Sequence, residues 1–254
     1  MKLNSRRQSI MNLLMEAGTV TVEELSTRFG VSEMTIHRDL NDLEGDGLLR
    51  RIRGGASIEP NNQFEVDFRF RQRLAAKEKD RIAKAAADQI ESGQTVIIDD
   101  GSTAGGVARY IADKQPLTVI TSNLAVIELL AGKEGITLIT LGGQYSKKFH
   151  GFFGLLTEEA LRSLRADIAF MSASSVYGTS AFHREQESVQ AKRLMMRASE
   201  RTFLLVDHGK FGKRALQFLC ELDEFTGVLT GSKPDEGSLE SLRSAGIPIT
   251  VVAE

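Results

Sequence analysis

At 254 residues, with 41% hydrophobic and 26% charged residues, the chain can build one large or two ordinary soluble domains; disorder is excluded. The net charge of −2 excludes a global attraction to nucleic acid, so any DNA contact needs a local cationic cluster. The lone Cys220, in a mostly apolar stretch, excludes an intramolecular disulfide and a cysteine metal cluster and is expected to fill core.

From about Ser5 to Ala17, Ile10, Leu13, Leu14 and Ala17 fall at helical spacing, and Gly18 stands where the helix ends. The segment before it, Met1 to Arg7, has no signal-peptide apolar core, and no run in the chain approaches the roughly 18 apolar residues that span a bilayer. A cytoplasmic protein without membrane contact is expected. Thr19-Val20-Thr21 is β-prone, and Thr21 with Glu24 spells a capping box for a second helix with Val22, Leu25 and Phe29 inside and Gly30 at its end. Only Val31 then precedes Ser32, which is suited to cap a third helix running to about Glu44, with Glu33 at the positive end of its dipole.

At about 100° per residue, Ile36, Leu40 and Leu43 share one stripe of this helix. Met34, Arg38 and Asn41 point the other way, with Thr35 and His37 on the flanks. Two short helices meeting across a tight turn make a helix-turn-helix. Gly45-Asp46-Gly47 then breaks the helix, and Leu48 to Arg53, Gly54-Gly55 and Ala56 to Ile58 predict a basic hairpin with a glycine tip. Residues 1–58 therefore read as a winged helix-turn-helix domain. The third helix suits the major groove, where arginine can bond guanine and asparagine adenine. Arg50, Arg51 and Arg53 suit phosphates or the minor groove. The candidate contacts to double-stranded operator DNA are Ser32, Met34, Thr35, His37, Arg38, Asn41, Arg51, Arg53 and Gly54. The sequence leaves the role of His37 open; if it contacts phosphate as a cation, operator affinity weakens as pH rises through about 6.5.

Residues 59–75 read as a linker, through Pro60-Asn61-Asn62, and the start of a connecting helix that spans Phe70 to Gln89. Its Arg71, Arg73, Lys77, Lys79, Arg81 and Lys84 are expected to form a solvated face. Residues 76–254 form the second domain. Apolar runs at Val96 to Asp99, Leu117 to Ile120, Ile136 to Ile139, Asp167 to Met171, Thr202 to Asp207, Gly227 to Thr230 and Ile249 to Val252 alternate with helical segments, including Ala104 to Ile111 and Leu124 to Leu130. That pattern predicts a Rossmann-like α/β fold with a parallel sheet covered on both faces.

In such sheets ligands bind at the carboxyl ends of strands. Asp99, Asp100, Gly101, Ser102 and Thr103 follow the first strand; Thr121, Ser122 and Asn123 the second; Gly142 and Gly143 the third; and Lys210, in Asp207-His208-Gly209-Lys210, a later one. Small hydroxyl residues and amides cradle phosphate, while aspartates prefer sugar hydroxyls or a cation, so a phosphorylated sugar or polyol is the expected effector. His150 and His183 have no partner at metal-ligand spacing and are expected to be loop histidines; no metal, cofactor or catalytic residue is expected.

Ser32-Glu33-Met34-Thr35-Ile36-His37-Arg38-Asp39-Leu40, then Leu43, then Arg51-Ile52-Arg53-Gly54-Gly55-Ala56, resembles the signature of the DeoR family of bacterial transcription regulators. The loops at Asp99 to Thr103, Thr121 to Asn123, Gly142-Gly143 and Asp207 to Gly212 resemble that family's effector domain, in order along the chain. The resemblance implies a repressor of a carbohydrate or polyol operon, an effector fold similar to ribose-phosphate isomerases, and phosphorylated sugars or polyols as effectors. Two departures, His37 where the family usually has Arg and Arg53 where it commonly has His, prevent transfer of an operator sequence. A third lies between Ser172 and Lys192, where a glycine-rich strand end and an acidic helix start are usual; effector identity is expected to reside there, with Glu187 and Lys192 as candidate pocket residues against the favoured reading of an exposed helix with Arg193 and Arg197.

A single winged helix makes few base contacts, so a homodimer or homotetramer reading repeated half-sites is expected. The competing expectation is a sugar-phosphate isomerase-like enzyme in which Asp99, Asp100 and Lys210 act as base and electrostatic stabiliser. It leaves the DNA-reading domain idle.

Overall fold

Capping side chains set the course of the N-terminal chain. The computed structural model describes residues 3–58, 67–231, 234 and 236–253, with backbone alone at residues 3 and 4. The chain divides into two units, Met1–Leu74 and Ala75–Glu254. The first contains α1 (Leu3–Ala17), β1 (Thr19–Thr21), α2 (Val22–Phe29), α3 (Glu33–Gly45), β2 (Arg50–Ile52), β3 (Gly55–Ser57) and α4 (Phe68–Arg73). The Thr21 hydroxyl accepts from the Glu24 amide at 3.2 Å, and the Glu24 carboxylate accepts from the Thr21 amide at 2.9 Å, which completes the expected capping box. Gly30, at φ +61°, turns the chain, and Ser32 Oγ caps α3 by accepting from the Thr35 amide.

The helices and the β1-β3-β2 sheet close on Ile10, Leu14, Leu25, Ile36, Leu40 and Leu49. A carboxylate lies within this stripe. Asp39 is fully buried on α3 and accepts from Arg6 Nε at 2.5 Å and Arg7 Nε at 3.3 Å, which fastens α1 across α3. Residues 59–66 of the expected linker lie outside the described residues. The single helix expected from Phe70 to Gln89 is two: α4 ends at Arg73, and Ala75 adopts a left-handed φ of 51° that neither helix can continue through.

The second unit opens with α5 (Ala76–Ala87) and continues through β4 (Thr95–Ile98), β5 (Leu117–Thr121), α6 (Leu124–Leu130), β6 (Ile136–Thr140), β7 (Gln144–Ser146), β8 (Gly151–Phe153), α7 (Leu155–Ser163) and β9 (Ala166–Met171). It ends with β10 (Ser175–Tyr177), β11 (Ser180–His183), α8 (Gln186–Arg197), β12 (Ser199–Val206), β13 (Gln217–Glu221), β14 (Gly227–Gly231), α9 (Glu236–Ser244) and β15 (Ile249–Val252). Seven strands form a parallel sheet in the order β15-β14-β12-β9-β4-β5-β6. Alternate side chains feed two cores, Val96, Ile98, Ile168 and Phe170 on one face and Ile97, Ala169 and Met171 on the other. Strand order reverses beside β4, so the carboxyl ends of β4 and β9 adjoin at the switch point of the sheet.

Three expectations are corrected here. Ala104–Tyr110 is a 3₁₀ turn in place of an α-helix, since Gly105-Gly106 gives an α-helix little support. His183 ends strand β11, buried, and is no loop residue. Lys79 and Arg71 of the expected solvated face are buried, because they fall on the apolar stripes of their helices. The β7-β8 hairpin and a small antiparallel sheet, β10-β11-β13, add to the expected strands. Cys220 is buried in β13, and burial pushes its thiol up to about 12, as suits a core residue.

The Asp39 pair generates a stability prediction. Asp39→Ala strands the buried Arg6 and should cost about 3 kcal/mol or more. Arg7→Ala should cost under about 1 kcal/mol, because Asp39 keeps Arg6. Urea unfolding followed by hydrogen exchange of the α3 amides reads both; equal losses in the two variants would refute the assignment.

Candidate functional site

The face of α3 opposite its core stripe carries the expected DNA-reading groups. Met34, His37, Arg38 and Asn41 are exposed, Met34 at 76%. Ser32 and Thr35 are engaged with each other as cap residues, Oγ to Oγ1 at 3.0 Å. Arg51 links the wing to this face. Its Nη1 donates to Asn41 Oδ1 at 2.5 Å, its Nη2 lies 2.9 Å from His37 Nδ1, and its Nε donates to the Gly55 carbonyl at 3.1 Å. A guanidinium has no acceptor, so His37 Nδ1 is the acceptor and carries no proton here. In the DNA-free chain His37 thus positions Arg51. Arg53 and Gly54 sit exposed at the wing tip, where the Gly54 carbonyl accepts from the Val22 amide at 2.9 Å.

At the switch point, the first strand-end loop folds around a buried ammonium. Lys192 of α8 is fully buried, bonded to Asp99 Oδ2, 2.8 Å from Asp100 Oδ1 and 3.1 Å from Ser172 Oγ. Burial opposes its charge, but the Asp100 and Asp99 carboxylates outweigh burial and hold its pKa above the ordinary lysine value. Asp99 also accepts from the amides of Gly101 at 2.8 Å and Ser172 at 2.6 Å. A Cβ on Gly101 would stand 2.0 Å from Ser172 Oγ, so only glycine fits this loop. One turn back along α8 from Lys192, Ser188 lines a cavity of about 230 Å³ with Lys148, Phe149, Phe153, Glu185 and Glu187.

A second charged group joins β4 to β12. Lys79 of α5 lies 3.4 Å from Ser102 Oγ and 3.6 Å from Asp207 Oδ2. Burial works against the Asp207 charge; Lys79, then Lys210 and His208, outweigh it and hold the carboxyl below its usual range. Glu78, beside Lys79, accepts from the His208 amide at 2.9 Å and contacts His208 Nδ1 at 2.6 Å.

The structure thus gathers Asp99, Asp100, Gly101 and Ser102 at one place and sets Lys210 near Asp207. Thr103 is buried where the 3₁₀ turn starts. Thr121 and Asn123 serve the scaffold: Thr121 Oγ1 donates to the Ile98 carbonyl at 2.7 Å, and Asn123 Nδ2 to the Asp99 carbonyl at 3.1 Å while its Oδ1 caps α6. Ser122 is buried, its Oγ without a hydrogen-bond partner among the described residues. Gly142 and Gly143 fit the β7-β8 hairpin: the Gly142 carbonyl accepts from Thr157, and Gly143, at φ +139°, packs where a Cβ would meet the Phe153 carbonyl at 2.3 Å. The exposed-helix reading holds for Glu187, Arg193 and Arg197 and fails for Lys192. Lys79 and Ser172 are missed, and Lys192 follows its less favoured pocket reading; the two lysines carried a readable signal, since Lys79 falls at i−3 from Ile82, and Lys192 between Val189 and Met195, on the apolar stripes.

Comparison with known proteins agrees with this division. Residues 6–61 match the model of the DeoR-like helix-turn-helix domain, and residues 74–232 that of the DeoR C terminal sensor domain. The chain is 32% identical to the glycerol-3-phosphate regulon repressor of Escherichia coli over 95% of this chain and 96% of that protein. It is 33% identical to the L-fucose operon activator of Haemophilus influenzae over 92% and 94%. Ribose 5-phosphate isomerase A of Neisseria gonorrhoeae aligns with 54% of this chain and 53% of its own at 15% identity, TM-score 0.39. The winged helix-turn-helix is followed by the sensor domain, in family order and over nearly the whole length of the relatives, and the chain belongs to the DeoR family of DNA-binding transcription regulators.

Proposed function

We propose that the chain represses a carbohydrate or polyol operon and leaves its operator when a phosphorylated sugar or polyol binds the second unit. The observation that carries this reading is the pairing of two charge clusters at the carboxyl ends of β4, β9 and β12: Lys79 and Ser102 beside Asp207 and Lys210, and Asp99 with Asp100 around Lys192. Ammonium groups and the Ser102 hydroxyl receive the phosphate, and the Asp100 carboxylate receives polyol hydroxyls. The cavity at Ser188 takes the remainder of the ligand and sets which sugar is accepted. The names of the relatives, a glycerol-3-phosphate regulon repressor among them, support the ligand class. Binding suits this site better than turnover, because Asp99 and Asp100 both neutralise a buried ammonium and neither is placed as a free general base.

For DNA, Arg38 and Asn41 read bases from the major groove and Arg53 takes phosphate. Arg38→Ala should cost about 1–3 kcal/mol at its operator and relax sequence preference. Arg53→Ala should weaken binding to all sequences alike and lower the slope of log K against log salt by about 1. Fluorescence anisotropy on DNA flanking the coding region measures both; no binding there at low salt would end the DNA-reading assignment.

For the ligand, a thermal-shift series with glycerol 3-phosphate and with pentose and hexose phosphates should raise the melting temperature for at least one compound. Lys79→Met and Lys210→Ala should each abolish that shift, while the dephosphorylated compound gives none. A full shift retained in both variants would place the phosphate elsewhere.

A further inference from the structure

The small sheet β10-β11-β13 turns one face into the second unit and leaves the other open among the described residues. Val176, Ala181 and Cys220 enter the core. On the outer face Phe182 lies opposite Phe218, with ring centroids 6.0 Å apart, and Tyr177 follows on β10. Tyr177 and Phe218 are each 45% exposed, and Leu216, just before β13, is 63% exposed. Rings grouped on one open sheet face mark an association surface.

Neither edge of this sheet offers a free ladder for strand addition. Arg193 donates to the carbonyls of Phe218 and Leu219 at 2.8 and 2.9 Å along β13. At the β10 edge Val176 bridges Phe211, and the Lys213 amide donates to its carbonyl. Association therefore proceeds through the face and not by edge pairing.

The charges on this face identify the occupant. At the β10 edge the Arg214 guanidinium stacks 4.0 Å above the Tyr177 ring. At the β13 edge Glu221 accepts hydroxyl bonds from Thr179 at 3.2 Å and Ser180 at 2.9 Å, neither of which balances its charge. A two-fold axis running along the strands sets each Arg214 against the Glu221 of a second copy and brings the Phe182 rings of both copies together in the middle, each flanked by its own Phe218. We infer that this face is a self-complementary dimer interface, with a second copy of this chain as its occupant.

Sedimentation velocity of the full chain, without DNA or ligand, tests this independently of the regulatory reading. The wild-type chain should sediment as a dimer of the 27.9 kDa chain, or as a multiple of it. Phe218→Glu should remove that association step, raising its dissociation constant more than about tenfold. Arg214→Glu alone should weaken the dimer, and Arg214→Glu combined with Glu221→Arg should restore it, with unchanged melting in the absence of ligand. Phe182→Gln provides a milder second variant. A monomeric wild-type chain would overturn the inference, as would an assembly indifferent to Phe218→Glu and Phe182→Gln, or a double swap that fails to restore association while remaining folded.

Discussion

An ammonium group with no access to water lies between two buried carboxylates at the centre of the second unit, and the geometry of the proposed ligand site depends on it. Removing such an ion from water costs several kcal/mol, which only close partners offset. Lys192 has them in Asp99, Asp100 and Ser172, drawn from α8 and from the ends of β4 and β9. The cluster fixes those strand ends relative to one another and holds one positive against two negative charges. In the proposed reading, this excess negative charge faces the hydroxyl end of a ligand, and the cations around Asp207 face its phosphate.

The DNA-reading unit uses the same physical device with a different aim. Asp39 is a charge inside an apolar stripe, and its pairing with Arg6 and Arg7 fastens α3 to α1 from within. Arg51 acts from outside, tying the wing to Asn41 and His37 on the reading face. The proposed recognition helix, α3, is thereby held on both sides before DNA arrives. Preorganisation of this kind lowers the ordering cost of binding.

Local signals made much of this legible. The Thr21 and Glu24 capping box, the Ser32 cap and the apolar runs each act over a few residues, and the helices and strands they imply are present. The illegible parts are long-range pairings. Nothing near Asp39 in the sequence announces Arg6 as its partner, and Lys192 meets Asp99 from 93 residues away. Lys79 and Lys192 were obscured by the ordinary rule that lysines face water, although their helical phase places them inside. The β10-β11-β13 sheet was hidden because its strands are short and its third member comes after α8 and β12.

A regulator of this kind requires that ligand and operator compete through two states of the chain, and coupling between them must be reciprocal. The direct measurement is an anisotropy titration of operator DNA with and without saturating phosphorylated ligand, paired with a calorimetric titration of that ligand with and without operator. The ligand should weaken operator binding by some factor, on the order of 5 to 150-fold for typical coupling, and operator should weaken ligand binding by the same factor. A ligand that binds the second unit and leaves operator affinity unchanged would contradict this coupling.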